Sequence, residues 1–352
     1  MLNKKPLENK RILVTGGTGS LGQVIVRHLL GCEMGKPSKI IVFSRDEAKQ
    51  HYMRVLYLKR PASTDEVIYN NFKRLLTFRI GDIRDLASVS EAVSEADVII
   101  HTAALKQVPS CEYFPYQAVL TNVIGAQNIV RAIHESNKSV KTVVGVSTDK
   151  ACKAINVMGM TKALMERIFI EANIDCPKTR FICVRYGNVL ASRGSVVPLF
   201  LDQIARGGPI TITVKEMTRF LLTTELAAAT IFDAIRYASP GEIYVPQVPS
   251  ARITDVAEAL MNKKKIKINY TGIRPGEKIH EVLVSEEERY RTIERGRYYV
   301  ICPMLPELGK VTIKKPALSS EYTSAKVTIN RLGLRNMLVS YFKNDVSKGM
   351  CL

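Results

Sequence analysis

"RILVTGGTGSLGQVIVRHLLG", residues 11–31, decides the fold. An apolar, partly β-branched run stops at Gly16, and the apolar residues of "SLGQVIVRHLL" then recur at helical spacing, so strand, tight turn and helix follow in order. Of Gly16, Gly19 and Gly22, two let the backbone turn tightly and approach a pyrophosphate at the helix N-terminus, and the third lets the helix pack close on the strand. Thr18, Ser20 and Leu21 fill the same loop and share its expected contacts. A bare glycine pattern says little. At the first strand–helix junction of a βαβ unit it points to a dinucleotide cofactor.

The pattern repeats outward. "KIIVFS" (39–44), "LLTFRIGD" (75–82), "ADVIIHTAA" (96–104), "VKTVVGVST" (140–148) and "TRFICVRYG" (179–187) read as buried parallel strands, separated by helical stretches such as "DLASVSEAVSE", "AVLTNVIGAQNIVRAIHES" and "GMTKALMERIFIEANI". This alternation predicts an α/β fold, an open, doubly wound parallel sheet of the Rossmann kind. Past residue 187 Gly, Pro and Thr become common, as in "RGGPITIT" and "ASPGEIYVPQVPS". The expected organisation is a cofactor-binding domain over 1–187 with a return helix at about 223–238, a smaller substrate lobe from 188–222 and 239–345, and a tail at 346–352. The stretch 46–75 is longer than an ordinary helix and loop and carries no assigned role.

Composition narrows the function. With 46% hydrophobic residues in 352, the chain can bury a large core. Its polar start runs into a short strand without a signal-like or membrane-spanning run, so a soluble cytoplasmic protein with no membrane insertion is expected. Seven scattered cysteines without CxxC pairs and five dispersed histidines suggest neither a disulfide framework nor a metal site. The net charge of +18 suits a solvated basic surface, an acidic membrane surface, a nucleic acid or polyanionic nucleotides. The densest basic run, "MNKKKIKINY" (261–270), has no aromatics between its lysines, which argues against a base-stacking platform and against nucleic-acid binding.

The second strand ends in "FSRDEAKQ" (43–50). A carboxylate at that tip accepts from the ribose hydroxyls of NAD, whereas arginine suits the 2′-phosphate of NADP. Ser44 and Arg45, with Lys49 one helical turn on, favour NADP over NAD, and Asp46 comes one residue late for the NAD role. Asp82 and Ile83 are expected to flank the adenine, although Asp82 after Gly81 reads equally well as a turn residue. Ala103, Ala104 and Lys106 are expected along the cofactor's middle.

"GGTGSLG", "FSRDEAKQ", "GDIRD", "AALKQVPSCEYFP", "STDKACKAINVMGMTK", "RYGNVLASRGSVVPLF", "MTRF" and "RPGEKIHE" occur in this order over roughly residues 10–285. Together they resemble the soluble UDP-N-acetylglucosamine 4,6-dehydratases of the extended short-chain dehydrogenase superfamily. The resemblance implies a tightly bound, recycled NADP, a UDP-sugar substrate and a homo-oligomer. It implies hydride removal from sugar C4, loss of water across C5 and C6, and hydride return to C6. Lys150 would then be the C5 base and Asp149 the acid at the C6 hydroxyl; the base needs its pKa depressed and the acid needs its pKa raised. Lys162 would bind the nicotinamide ribose, and Asn122 would also serve the cofactor. Lys106 would reach substrate, Asn188 and the "SVVP" backbone from Ser195 through Val197 the nucleotide, Arg219 and Arg274 the diphosphate, and Glu277 the uridine ribose.

One position departs from the superfamily pattern. Met158 stands four residues before Lys162, where a tyrosine is usual, and cannot exchange a proton. The family has a branch with Met here, and the C4 hydroxyl proton is then expected to pass to Asp149 or Lys150, directly or through Thr148 or a water. Two other readings stay open: a nucleotide-sugar 4-epimerase, which needs no C5 base and normally keeps the tyrosine, and a catalytically silent NADP-binding regulator. Neither the C5 stereochemistry nor the exact sugar can be read from the residues, and the part beyond 285 is left with assembly or lid formation.

Overall fold

The computed structural model describes residues 5–58, 66–136, 140–190, 195–262, 264–309 and 315–346. Six parallel strands, β1 (Arg11–Thr15), β2 (Lys39–Ser44), β3 (Leu76–Ile80), β4 (Val98–His101), β5 (Thr142–Thr148) and β6 (Arg180–Tyr186), form the predicted sheet in the order 3-2-1-4-5-6. Their runs are apolar rather than alternating because helices cover both faces: Ile12, Val14, Val42, Ile99 and Val144 are fully buried. The order reverses between β1 and β4, which opens a crevice at the carboxyl ends of the strands.

The sheet does not stop at β6. Ile243–Pro246 pairs parallel with β6, and Tyr298–Ile301 and Thr292–Arg295 follow antiparallel, giving nine strands. These segments were assigned to the substrate lobe, so the boundary drawn from sequence cuts through the sheet. The prolines and glycines that flank them mimic irregular structure, yet Tyr244, Val300 and Ile301 are buried like core residues. The remainder of the lobe has a separate apolar core, which includes Phe200, Ile210, Leu221 and Val256. Thr224–Tyr237 is the return helix, capped by Thr223.

Helix Val157–Asp175 is central to the site. Asn156 caps it by accepting from the Gly159 N–H at 2.8 Å, and its amide donates to the Gly276 carbonyl at 2.7 Å, which ties the helix start to the "RPGEK" loop. Gly145 on β5 lets this helix sit close, since a Cβ there would lie 2.5 Å from a Phe169 ring carbon. Before it, "AVLTNVIGAQNIVRAIHES" contains one π-helical stretch, Val119–Ile124, which carries Asn122. No helix among the described residues is long and apolar enough to cross a membrane. Because Phe169 is fully buried and cannot swing away, Gly145→Ala should lower the urea unfolding midpoint by an amount equivalent to about 1–3 kcal/mol.

Candidate active site

One cleft of about 860 Å³ runs along the carboxyl edge of the sheet, from the glycine turn to the β5 terminus. At its first end Gly16 has φ +67°, and a Cβ there would lie 2.8 Å from the Ala103 nitrogen. A Cβ on Gly22 would lie 2.6 Å from the Gly17 Cα, so the turn and the helix Ser20–Leu30 fit only without side chains. The helix start has no side-chain cap, leaving its N–H groups for an anion. Thr18, Ser20 and Leu21 line the cleft there. This cradle fits a dinucleotide pyrophosphate.

Ser44, Arg45 and Lys49 line the next section, as do Asp82 and Ile83. Asp46 accepts from the Lys49 N–H at 3.0 Å and pairs with the Lys49 ammonium at 2.5 Å, so its carboxylate is engaged within its own helix turn. Arg45 is exposed and 3.9 Å from Asp82. Asp82 accepts from the Arg84 backbone N–H at 3.0 Å and pairs with its guanidinium at 2.6 Å, as the turn reading required. Ala103, Ala104 and Lys106 line the middle. Asn122 lies behind this wall, fully buried; its side chain accepts from the Leu105 N–H at 2.8 Å and donates to the Leu105 carbonyl at 2.9 Å. It holds the loop after β4 in place.

The chemistry-bearing end follows β5. Asp149 starts a short 3₁₀ turn, Asp149–Ala151, and is fully buried. Its Oδ1 accepts from Thr148 at 2.9 Å and from the Lys150 ammonium at 3.1 Å. The same ammonium lies 3.2 Å from Glu281 Oε1, and Arg219 lies 3.7 Å from that oxygen. Asp149 Oδ2 and Glu281 Oε2 have no partner among the described residues. Gly187, at the end of β6, gives Asp149 its space: a Cβ there would sit 3.0 Å from Oδ2.

Burial pushes the Asp149 carboxyl up; Lys150 opposes the rise and Glu281 adds to it. This is the direction an acid needs. Burial alone would lower Lys150, but the charges of Asp149 and Glu281 outweigh it and hold the amine above its ordinary value. The depressed lysine expected from sequence is therefore not found in the free protein. Glu281 stays below the usual carboxylate range, because Lys150, Arg219 and Lys278 overcome its burial. Burial lowers two other lysines instead: Lys278, and Lys162, which is pushed down to about 8.

Met158 is buried against Cys111 and Ala118 and lines the cleft with Lys162. Asn188, Ser195, Arg274 and Glu277 also line it, and the Asn188 Oδ1, Ser195 Oγ and Glu277 Oε2 atoms have no partner among the described residues. Buried polar atoms are seldom left so. Val197 does not line the cleft and sits in the lobe core. Arg219 donates to the Thr218 and Ile279 carbonyls and belongs to the Lys150 cluster. The residue missed by sequence is Glu281. It closes the motif "RPGEKIHE", but only the fold brings it to Lys150.

The profile of the polysaccharide biosynthesis protein family matches residues 12–303. A UDP-N-acetylglucosamine 4,6-dehydratase (inverting) of Campylobacter jejuni is 41% identical over 299 residues, 84% of this chain and 84% of that one. A protein of Rickettsia bellii named UDP-glucose 4-epimerase is 41% identical over 326 residues, 90% of this chain and 91% of its own. Among solved structures, Pen from Bacillus thuringiensis superposes with a TM-score of 0.84 at 33% identity, covering 95% of this chain and 99% of Pen. Fold and cleft define an extended short-chain dehydrogenase of the nucleotide-sugar dehydratase and epimerase kind. Within that class the chain belongs to the polysaccharide biosynthesis family that includes the UDP-N-acetylglucosamine 4,6-dehydratases.

Lys162 yields a stability test. Its folded pKa is depressed, so below about pH 8 the folded protein carries a buried charge that the unfolded chain solvates better. Stability from this group then rises as pH climbs from about 8 toward 10.5. Lys162→Met should stabilise the ligand-free protein at pH 7 by on the order of 3 kcal/mol, and the gain should vanish by the upper end of that window. Denaturant titrations of both proteins across pH check it.

Proposed function

We propose that the protein is an NADP-dependent UDP-N-acetylglucosamine 4,6-dehydratase, making a UDP-4-keto-6-deoxy-N-acetylhexosamine for surface polysaccharide or glycan synthesis. The observation that carries this reading is the cluster of Asp149, Lys150 and Glu281 in the same cleft as the glycine turn. An epimerase has no use for an acid–base pair beside C5.

When bound, the nicotinamide takes hydride from sugar C4 and returns it at C6. The C4 ketone acidifies the C5 hydrogen, since the carbanion is an enolate. Lys150 takes that proton once its own has moved to Asp149, 3.1 Å away. Asp149, made willing by burial, then gives a proton to the departing C6 hydroxyl. An amine that rests charged thus becomes a base without losing its proton to solvent. Lys162 holds the nicotinamide ribose, Asn188, Ser195 and Glu277 the nucleoside, and Arg274 the diphosphate, a group its planar fork suits. Arg45, together with an Asp46 already engaged by Lys49, supports NADP over NAD.

The Rickettsia relatives' name favours a 4-epimerase as the second reading. Incubation with UDP-N-acetylglucosamine, followed by NMR, is expected to give a 4-keto-6-deoxy sugar; a 4-epimer would establish the second reading. Lys150→Ala and Asp149→Asn should each slow dehydration by roughly 100-fold or more, and undiminished rates in both would overturn the assignment. Arg45→Ala should weaken NADP by about tenfold or more while leaving NAD nearly unchanged, as measured by calorimetric titration.

A further inference from the structure

We infer that Glu281 accepts the proton of the sugar's C4 hydroxyl, the task a phenol would perform at position 158, and that this proton then passes through Lys150 to Asp149. The inference rests on the dehydratase reading and supplies the step that reading leaves open. Dehydration needs three proton positions: an acceptor for the C4 hydroxyl, a base at C5 and an acid at C6. Asp149 and Lys150 fill two of them.

The other candidates at this end of the cleft fall away, Lys162 among them, since its ammonium contacts the Met165 sulfur at 2.9 Å and is assigned to the cofactor. Met158 has no exchangeable proton. The hydroxyl of Thr148 already donates to Asp149 at 2.9 Å. Tyr186, opposite Thr148 in the register of β5 and β6, has a buried phenol without a partner among the described residues, and burial drives it far above its ordinary value. Lys150 rests as an ammonium and Asp149 is the group driven toward its acid form. Glu281 lines the cleft, is kept ionised by Lys150, Arg219 and Lys278, and has one carboxylate oxygen committed to Lys150 while the buried Oε2 has no partner among the described residues.

The protons balance. As hydride leaves C4 for the oxidised nicotinamide, the O–H bond breaks, its electron pair forms the ketone, and the proton goes to Glu281. Lys150, its own proton already passed to Asp149 3.1 Å away, takes the C5 proton, and Asp149 gives the proton it received to the C6 hydroxyl, which leaves as water. After hydride returns to C6, Lys150 gives its proton back to C5. Glu281 is then protonated and Asp149 is not. Lys150, now a neutral amine 3.2 Å from one and 3.1 Å from the other, takes the Glu281 proton and is again the resting ammonium, ready to hand that proton to Asp149 in the next turnover.

The test separates the two half-reactions. In single turnovers, rapid quenching should show Glu281→Gln forming the 4-keto sugar roughly 100-fold or more slowly than wild type. Exchange of the C5 hydrogen of added UDP-4-keto-6-deoxy sugar with deuterated water, which needs no C4 acceptor, should stay within about tenfold of wild type. NADP affinity, measured by titration, should be unchanged. Glu281→Asp keeps the charge and guards against a misfolded Gln variant; it too should slow C4 oxidation more than exchange. Equal losses in both half-reactions, or none, would overturn the role of Glu281 alone. Wild-type protein that catalyses no C5 exchange and yields a 4-epimer would instead remove the dehydratase reading.

Discussion

The site depends on one ammonium group held between two buried carboxylates. Lys150 lies 3.1 Å from Asp149 and 3.2 Å from Glu281, where water scarcely reaches either acid. Burying such charges is costly unless each is paired and held in good geometry, so the surrounding fold has to fix three chain segments at once. Arg185 on β6 does much of this. It donates to the Leu283 carbonyl at 3.0 Å and pairs with Glu288 at 2.7 Å and Glu166 at 2.6 Å. The strand after Glu281 is thereby clamped to β6 and to the helix that carries Met158 and Lys162. All members of this clamp are themselves buried.

The missing phenol changes what the neighbouring lysine does. With a tyrosine at 158, the charge of Lys162 would lower a phenol's pKa. With methionine there, Lys162 is a desolvated amine whose ammonium contacts the Met165 sulfur at 2.9 Å. Proton work moves to the β5 terminus, where three titratable groups already touch. Methionine at 158 therefore fits an enzyme that has relocated its C4 acceptor.

What the sequence made legible was local. The glycine turn, the six strands and the adjacent Asp149–Lys150 pair are each written in a short window, because a turn or a strand end is set by its own residues. What it hid was long-range. Glu281 meets Lys150 only because the strand Val282–Val284 pairs with Tyr322–Thr323 and is pinned by Arg185. The sign of the Lys150 shift follows from that meeting, so the expected depression became a rise. Asn122 and Val197 lie in sequence beside cleft residues but face inward, a matter of helix phase that motif matching does not resolve. The three added strands of the sheet are four residues each and flanked by glycine and proline, and only their pairing reveals them.

In the proposed reaction Lys150 removes and returns a proton at C5 while C4 is a ketone. Turnover of UDP-N-acetylglucosamine by the wild-type protein in deuterated water, read by NMR and mass spectrometry of fresh product, tests it most directly. The account predicts a 4-keto-6-deoxy sugar carrying solvent deuterium at C5. A product that keeps its original hydrogen at C5, with C4 inverted and C6 still hydroxylated, would contradict it.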